Sequence, residues 1–286
     1  MKPPEILTPS ATRALLDQLG HRPRKKLGQN FLVDGNIVRK SLALGAVAAG
    51  DRIVEIGPGL GTLTAALLST GAEVFAVERD PALASFLRGH LLPVHGDRLH
   101  LVEGDAVELP LGPLDAERAG ERPFKIVANL PYAISSPWME AVLAGPLPER
   151  MVLMLQVEAA QRYAAQPGTK SFCAISVFLQ AAFRVAGTHR VSRRCFHPVP
   201  DVDSILIHLE RLAQPASFSR PTRGLVRAWF QHRRKQLAPQ VRHTIPELAD
   251  KWIGEIGSIG VRDDARPEDV PVAGWVALDR MLAEAR

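Results

Sequence analysis

The sequence predicts an α/β fold: a doubly wound, mostly parallel Rossmann-like sheet followed by a small all-helical C-terminal domain. Three observations point there. From Arg52 onward, short apolar runs alternate with helical stretches, the order that strand–helix–strand units and a parallel sheet require. A glycine turn follows the first of those strands, at the carboxyl end where such sheets bind ligands. Past a proline- and serine-bearing break at Gln214–Pro221, only helical periodicity remains.

The elements follow in order. Ser10–Leu19 reads as a short helix, capped by Ser10, in an N-terminal extension covering residues 1–21. RIVEI (52–56) reads as a buried strand, and Thr62–Leu68 as the helix after its glycine turn. EVFAVE (73–78) is the second strand. It leads into Asp80-Pro81, a capping residue followed by proline at the first helical position. LHLVEGD (99–105) and FKIVAN (124–129) read as strands three and four. Ser136-Pro137 is expected to cap a helix reaching Ala144; MVLMLQ (151–156) is a fifth strand, with a helix over 157–165. The apolar segments ISVFLQAAF (175–183) and SILIHLE (204–210) are candidates to complete the sheet. Helices over 222–237, 246–256 and 273–285 then fill a C-terminal domain at 214–286, leaving residues 22–213 as the main domain.

Composition narrows the function classes. The 286 residues suffice for one domain of about 200 residues plus a small appendage. Hydrophobic residues at 46% and charged residues at 23% exclude a disordered chain. No apolar run approaches the roughly 18–20 residues of a membrane helix. The N-terminus, MKPPEILTPSATRALLDQ, carries no apolar signal core, so a cytoplasmic protein without a membrane partner is expected. Cys173 and Cys195 have neither metal-ligand nor redox-pair spacing; no metal is expected, and both read as small buried residues.

The formal charge is only +5, but its placement is uneven. Arg22, Arg24, Lys25 and Lys26 form one basic cluster, Arg190, Arg193 and Arg194 a second, and His232-Arg233-Arg234-Lys235 a third. Any one of them could be a solvated face. Three together favour contact with a phosphate backbone, with Arg24, Lys25, Lys26, Arg233, Arg234 and Lys235 as the candidate contacts.

Three constellations carry chemistry. Glu55-Ile56-Gly57-Pro58-Gly59-Leu60-Gly61 has G-x-G-x-G spacing, unlike the G-x-G-x-x-G of dinucleotide enzymes, and its preceding carboxylate suits a cationic or zwitterionic ligand. Gly57 and Gly59 let a ligand approach the backbone. Glu78 ends strand two, where a carboxylate can accept hydrogen bonds from both hydroxyls of a ribose. Asp105 adds an acceptor near an adenine amine, or else caps the turn after Gly104.

The third, Asn129-Leu130-Pro131-Tyr132, ends strand four and has the N-x-P-[YF] form of methyltransferases acting on planar, conjugated amines. Such an amine is a poor nucleophile because its lone pair is delocalised into the ring. The Asn129 side-chain oxygen and a backbone carbonyl of the rigid Leu130-Pro131 turn can bind its hydrogens and favour a tetrahedral nitrogen. Tyr132 can stack on the base.

At these residues the sequence resembles the ribosomal RNA adenine dimethyltransferases. Gly28-Gln29-Asn30-Phe31-Leu32, the glycine loop, Asn129 to Tyr132, and Phe196-His197-Pro198-Val199-Pro200-Asp201-Val202-Asp203-Ser204 occur in that family's order and spacing. The resemblance runs from about Arg22 to the C-terminus, through Phe230, Arg233-Arg234-Lys235 and Arg266-Pro267-Glu268. It implies an S-adenosylmethionine-dependent methyltransferase domain with cofactor contacts at Asn30, Leu32, Gly57, Glu78, Asp105 and Asn129, with Gly59 from the glycine loop beside them. It also implies a target adenine between Tyr132 and Phe196, and a monomer acting on small-subunit rRNA or an immature small subunit. Within the family it is most similar to the enzymes that dimethylate two adjacent adenines in a hairpin near the 3′ end of small-subunit rRNA. The macrolide-resistance enzymes of large-subunit rRNA are near neighbours. The chain departs from the housekeeping pattern at Phe172-Cys173-Ala174-Ile175-Ser176 and at Pro239, away from the chemical centre. A non-catalytic assembly factor has no use for the Asn129–Tyr132 geometry. A protein-glutamine methyltransferase needs neither a second stacking face nor a basic helical domain, and a nicotinamide dehydrogenase fails on glycine spacing.

Overall fold

The apolar runs that the sequence marks as strands become the centre of one sheet. A computed structural model describes residues 7–24 and 27–285; Lys25 and Lys26, named above as phosphate contacts, lie outside the described residues. The strands are β1 (Phe31–Leu32), β2 (Arg52–Ile56), β3 (Glu73–Glu78), β4 (Leu99–Glu103), β5 (Lys125–Asn129), β6 (Arg150–Gln156), β7 (Phe183–Val191), β8 (Phe196–His197) and β9 (Ser204–Arg211). The seven-stranded sheet runs β4-β3-β2-β5-β6-β9-β7, and β1 pairs with β8 in a small antiparallel ribbon. Strands β2 to β6 are mutually parallel, and β9 runs antiparallel to β6.

All five residues of β2 are buried, as a central parallel strand covered on both faces requires. The strand order reverses around β2, between β3 and β5. That reversal opens a crevice at the carboxyl ends, the place where this class of sheet holds ligands. Asp80 begins the helix Pro81–His90 by accepting the Ala82 N–H at 3.1 Å, with Pro81 just inside it.

The chain divides into two units. The first holds residues up to Ala160 and Val185–Arg211; the second holds Gln161–Arg184 and Leu212 onward. The division expected at 213/214 therefore misses residues 161–184, which cluster with the C-terminal helices. Side chains explain it: the Phe172 ring lies 6.2 Å from that of Phe230, Phe178 lies 5.4 Å from Phe218, and the Gly168 N–H donates to the Glu268 carbonyl at 2.7 Å. Trp229, Trp252 and Trp275, with centroids 5.4–6.1 Å apart, form the core of this second unit.

Other expectations change as well. ISVFLQAAF is not a strand: Ala174–Gln180 is a helix, and only from Phe183 does the chain extend. Ile175, Phe178 and Leu179 fall at helical spacing on a buried face, so tertiary burial decides a run whose β-branched content suggested a strand. The true edge strand, β7, alternates weakly and is half exposed, which hides it in the sequence. The helix expected over 222–237 stops at Gln231, and a separate helix spans Leu237–Thr244. The helix Ser135–Val142 has Ile134, not Ser136, at its capping position, and the N-terminal helix Pro9–Gln18 is capped by Thr8 rather than Ser10. Both cysteines are half-buried rather than buried. Among the described residues no helix is long and apolar enough to cross a membrane, and no group of His, Cys, Asp or Glu could hold a metal ion.

Candidate active site

The carboxyl ends of β2, β3 and β5 open onto one cleft, and the Gly28–Leu32 segment closes its side. Gly57 and Gly59 turn at φ of 64° and 61°, in the left-handed region that disfavours other residues. A Cβ on Gly57 would stand 3.1 Å from the Pro131 ring, and one on Gly59 3.1 Å from the Phe31 ring. The floor of the cleft is thus bare backbone at positions where a side chain would be both strained and crowded.

Glu78 is buried beside that floor. Its Oε2 accepts the Gly59 N–H at 2.9 Å and its Oε1 accepts the Asp80 N–H at 2.9 Å. Each carboxylate oxygen keeps a lone pair for a further donor. Burial pushes the Glu78 carboxyl above the usual range, while the Asp80 and Gly59 amides pull it back. Glu55 lies deeper, 2% exposed, and burial pushes its carboxyl up to about 8, with the neighbouring Glu78 acting in the same direction. The Thr64 hydroxyl beside Glu55 pulls its carboxyl part of the way back. Asp105 lines the cleft and holds its own turn through the Val107 N–H at 2.9 Å. It also pairs with the Arg79 guanidinium at 3.1 Å.

Asn129, the last residue of β5, donates through Nδ2 to the Asn30 carbonyl at 3.0 Å. A carbonyl oxygen can only accept, so the amide must turn its N–H toward it, which leaves the Asn129 oxygen as an acceptor. Asn30 in turn donates from Nδ2 to the Gly28 carbonyl at 3.2 Å, a bond within its own loop, and the Asn129 bond ties that loop to the strand end. Leu130 is buried, Pro131 lines the cleft, and Tyr132 opens a short 3-10 turn with its ring half-buried. The Tyr132 hydroxyl meets Ser204 Oγ at 2.6 Å, and burial raises its pKa while that contact lowers it.

Asn30, Leu32, Gly57, Gly59, Glu78, Asp105, Asn129, Leu130, Pro131 and Tyr132 all line this one cleft. Phe196 does not: it is 2% exposed, paired through β8 with Leu32 of β1 and packed in the core of the first unit. The phosphate contacts also thin out. Arg233 is spent internally, on Glu268 at 3.2 Å and on the Lys170 carbonyl at 2.9 Å, while Arg234 and Lys235 are exposed. Arg24 is exposed, with its guanidinium 3.9 Å from the buried Asp80. Sequence reasoning missed Ser204 as a partner of Tyr132 and Gln29 as a donor to Asp80 at 3.0 Å. Both pairs join segments far apart in the chain, and no local signal marks them.

Known proteins resemble this chain. The ribosomal RNA small subunit methyltransferase A of Opitutus terrae is 59% identical over 272 residues, covering 95% of this chain and 98% of the relative. The protein of the same name from Leifsonia xyli is 40% identical over 285 residues, covering 96% and 97%. Among solved structures, a dimethyladenosine transferase from Plasmodium falciparum shares the fold with a TM-score of 0.69 at 23% identity, covering 89% of this chain and 98% of that one. The 23S rRNA methyltransferase ErmE matches with a TM-score of 0.65 at 25% identity, covering 89% and 100%. The family model described as ribosomal RNA adenine dimethylase matches residues 20–284, and with the cleft above it places this chain in the ribosomal RNA adenine dimethylase family.

Proposed function

We propose that this protein transfers methyl groups from S-adenosylmethionine to the N6 amines of two adjacent adenines in a hairpin near the 3′ end of small-subunit rRNA. It acts as a monomer, on the RNA or on an immature small subunit. The orientation of Asn129 carries the chemical part of this reading: its N–H is committed to Asn30, so its oxygen is the group left to meet an amine. The relatives at 59% and 40% identity, both named for the small subunit, support the choice of RNA over the large-subunit alternative.

The cleft fits the cofactor on its own chemistry. The bare backbone at Gly57 and Gly59 admits a bulky ligand, Glu78 retains acceptor capacity for the two ribose hydroxyls, and Asp105 offers an acceptor for an adenine amine. When bound, S-adenosylmethionine supplies an electrophilic sulfonium methyl. Asn129 Oδ1 and the Leu130 carbonyl accept the hydrogens of the target amine as its nitrogen becomes tetrahedral, and so direct its lone pair. The methylated nitrogen is cationic and sheds its proton to water, so no strong base is required. Tyr132 offers the stacking face; such contacts are worth roughly 1–3 kcal/mol per base, comparable to the few kcal/mol that extruding a base costs.

Asn129→Ala tests this directly. Single-turnover methylation of small-subunit particles at saturating cofactor should fall by two or more orders of magnitude, since losing a preorganised acceptor costs about 3–4 kcal/mol. RNA affinity should stay near normal. Near-normal methyl transfer would defeat the mechanism and leave a binding role as the better reading. Primer extension across the 3′ hairpin then identifies the adenines.

A further inference from the structure

The face that Tyr132 offers is useful only if the ring is held in one plane. One contact holds it at the far end: the hydroxyl meets Ser204 Oγ at 2.6 Å. Ser204 is 0% exposed and opens β9, paired in register with Gln156 at the end of β6. Asn129 is paired with Met154 of the same β6, so the sheet sets the serine and the Asn129–Tyr132 turn at a fixed separation.

From this geometry we infer that Ser204 is a positioning residue for the methyl transfer. It acts through the Tyr132 hydroxyl to fix the plane of the ring on which the target adenine stacks. The inference rests on the reading of Tyr132 as that stacking face. A tyrosine ring fixed only at its Cα can turn about two side-chain bonds, and a hydrogen bond at the far end removes that freedom before the base arrives. The hydroxyl is not needed for stacking as such, because a phenyl ring has the same face. Its use here is to be gripped. Ser204 also directly follows Asp203, which is tied by the Arg190 guanidinium at 2.9 Å and by the Arg193 N–H at 3.0 Å. The serine is therefore anchored on both sides.

The test is a double-mutant cycle on the intact protein, read by methylation of small-subunit particles and by binding of a hairpin RNA with 2-aminopurine at the target position. Ser204→Ala and Tyr132→Phe delete the same bond from opposite ends. Each should lower kcat/KM for RNA by about 5- to 20-fold, the range of one hydrogen bond to a buried group. Each should also weaken the 2-aminopurine stacking signal and leave cofactor affinity unchanged. The double variant should lose no more than either single one. If the two losses multiply, or if Tyr132→Phe retains full activity and full stacking signal, the inference fails. Tyr132→Phe leaves the buried serine in place, so it decides the matter even where Ser204→Ala folds poorly. Tyr132→Ala separates the layers. Should it methylate normally, the stacking role itself is wrong; should it fail while Tyr132→Phe is silent, only the positioning role is wrong.

Discussion

At the scale of single residues, the cleft is governed by buried carboxyls whose protons are tied to folding. Glu55 is the clearest case: its folded pKa of about 8 stands above the ordinary value of 4.5 because water is excluded from it. The folded state then binds more protons than the unfolded state between those two values. Stability from this group is fully present below the ordinary value and is lost as pH rises through about 8. Glu55→Gln cannot titrate, so without cofactor its melting temperature should fall less than that of the native protein between pH 5 and pH 8. Glu78, also raised, pushes the same way in both proteins and cancels in the difference. Scanning calorimetry at several pH values checks this, and parallel curves would show that Glu55 stays ionised in the fold. The sequence made Glu55, Glu78 and Asn129 visible because each stands at or next to the carboxyl end of an apolar strand. It did not reveal their protonation or orientation, which burial and a cross-chain bond to Asn30 impose.

At the scale of elements, the turn after β2 is the one whose conformation the site cannot do without. Gly59→Ala would hold an L side chain at φ of 61°, which costs roughly 1–2 kcal/mol, and would press its Cβ into the Phe31 ring. Phe31 belongs to β1 and walls the cleft, so the strain should reach the ligand site. The expected result is a lower melting temperature together with cofactor binding weakened about tenfold, a loss of some 1.4 kcal/mol. Gly120→Ala is the control: its φ is not positive, and nothing lies within 4 Å of the added atom. Calorimetric titration in which Gly59→Ala binds as tightly as Gly120→Ala would show that the loop tolerates the side chain. Periodicity located β2 to β6, β9 and the last two helices to within a residue or two. It failed at Ala174–Gln180 and β7, where a short apolar run has no intrinsic preference strong enough to resist its packing partners.

At the scale of the whole molecule, a net charge of +5 is too small to explain RNA binding by bulk attraction, so individual phosphate contacts must carry it. The third basic cluster splits in two. Arg233 is braced against Glu268 and Lys170 inside the second unit, whereas Arg234 and Lys235 face solvent. Arg233→Ala should therefore lower the melting temperature, while Arg234→Ala with Lys235→Ala should leave it unchanged. The latter pair should flatten the slope of log affinity against log salt by about two, one per lost phosphate contact. An unmoved slope would make those two residues a solvated face. By itself the sequence determined the α/β class, the mostly parallel character of the sheet, the family and most of the residues that line the cleft, because strand periodicity, glycine turns and strand-end residues are local signals. Only the tertiary structure decided that Phe196 is core, that Arg233 is a brace, that residues 161–184 join the C-terminal helices, and that Ser204 holds Tyr132. Each of these depends on which distant side chain a residue meets, and burial and pairing across the chain leave no periodic trace in the residues themselves.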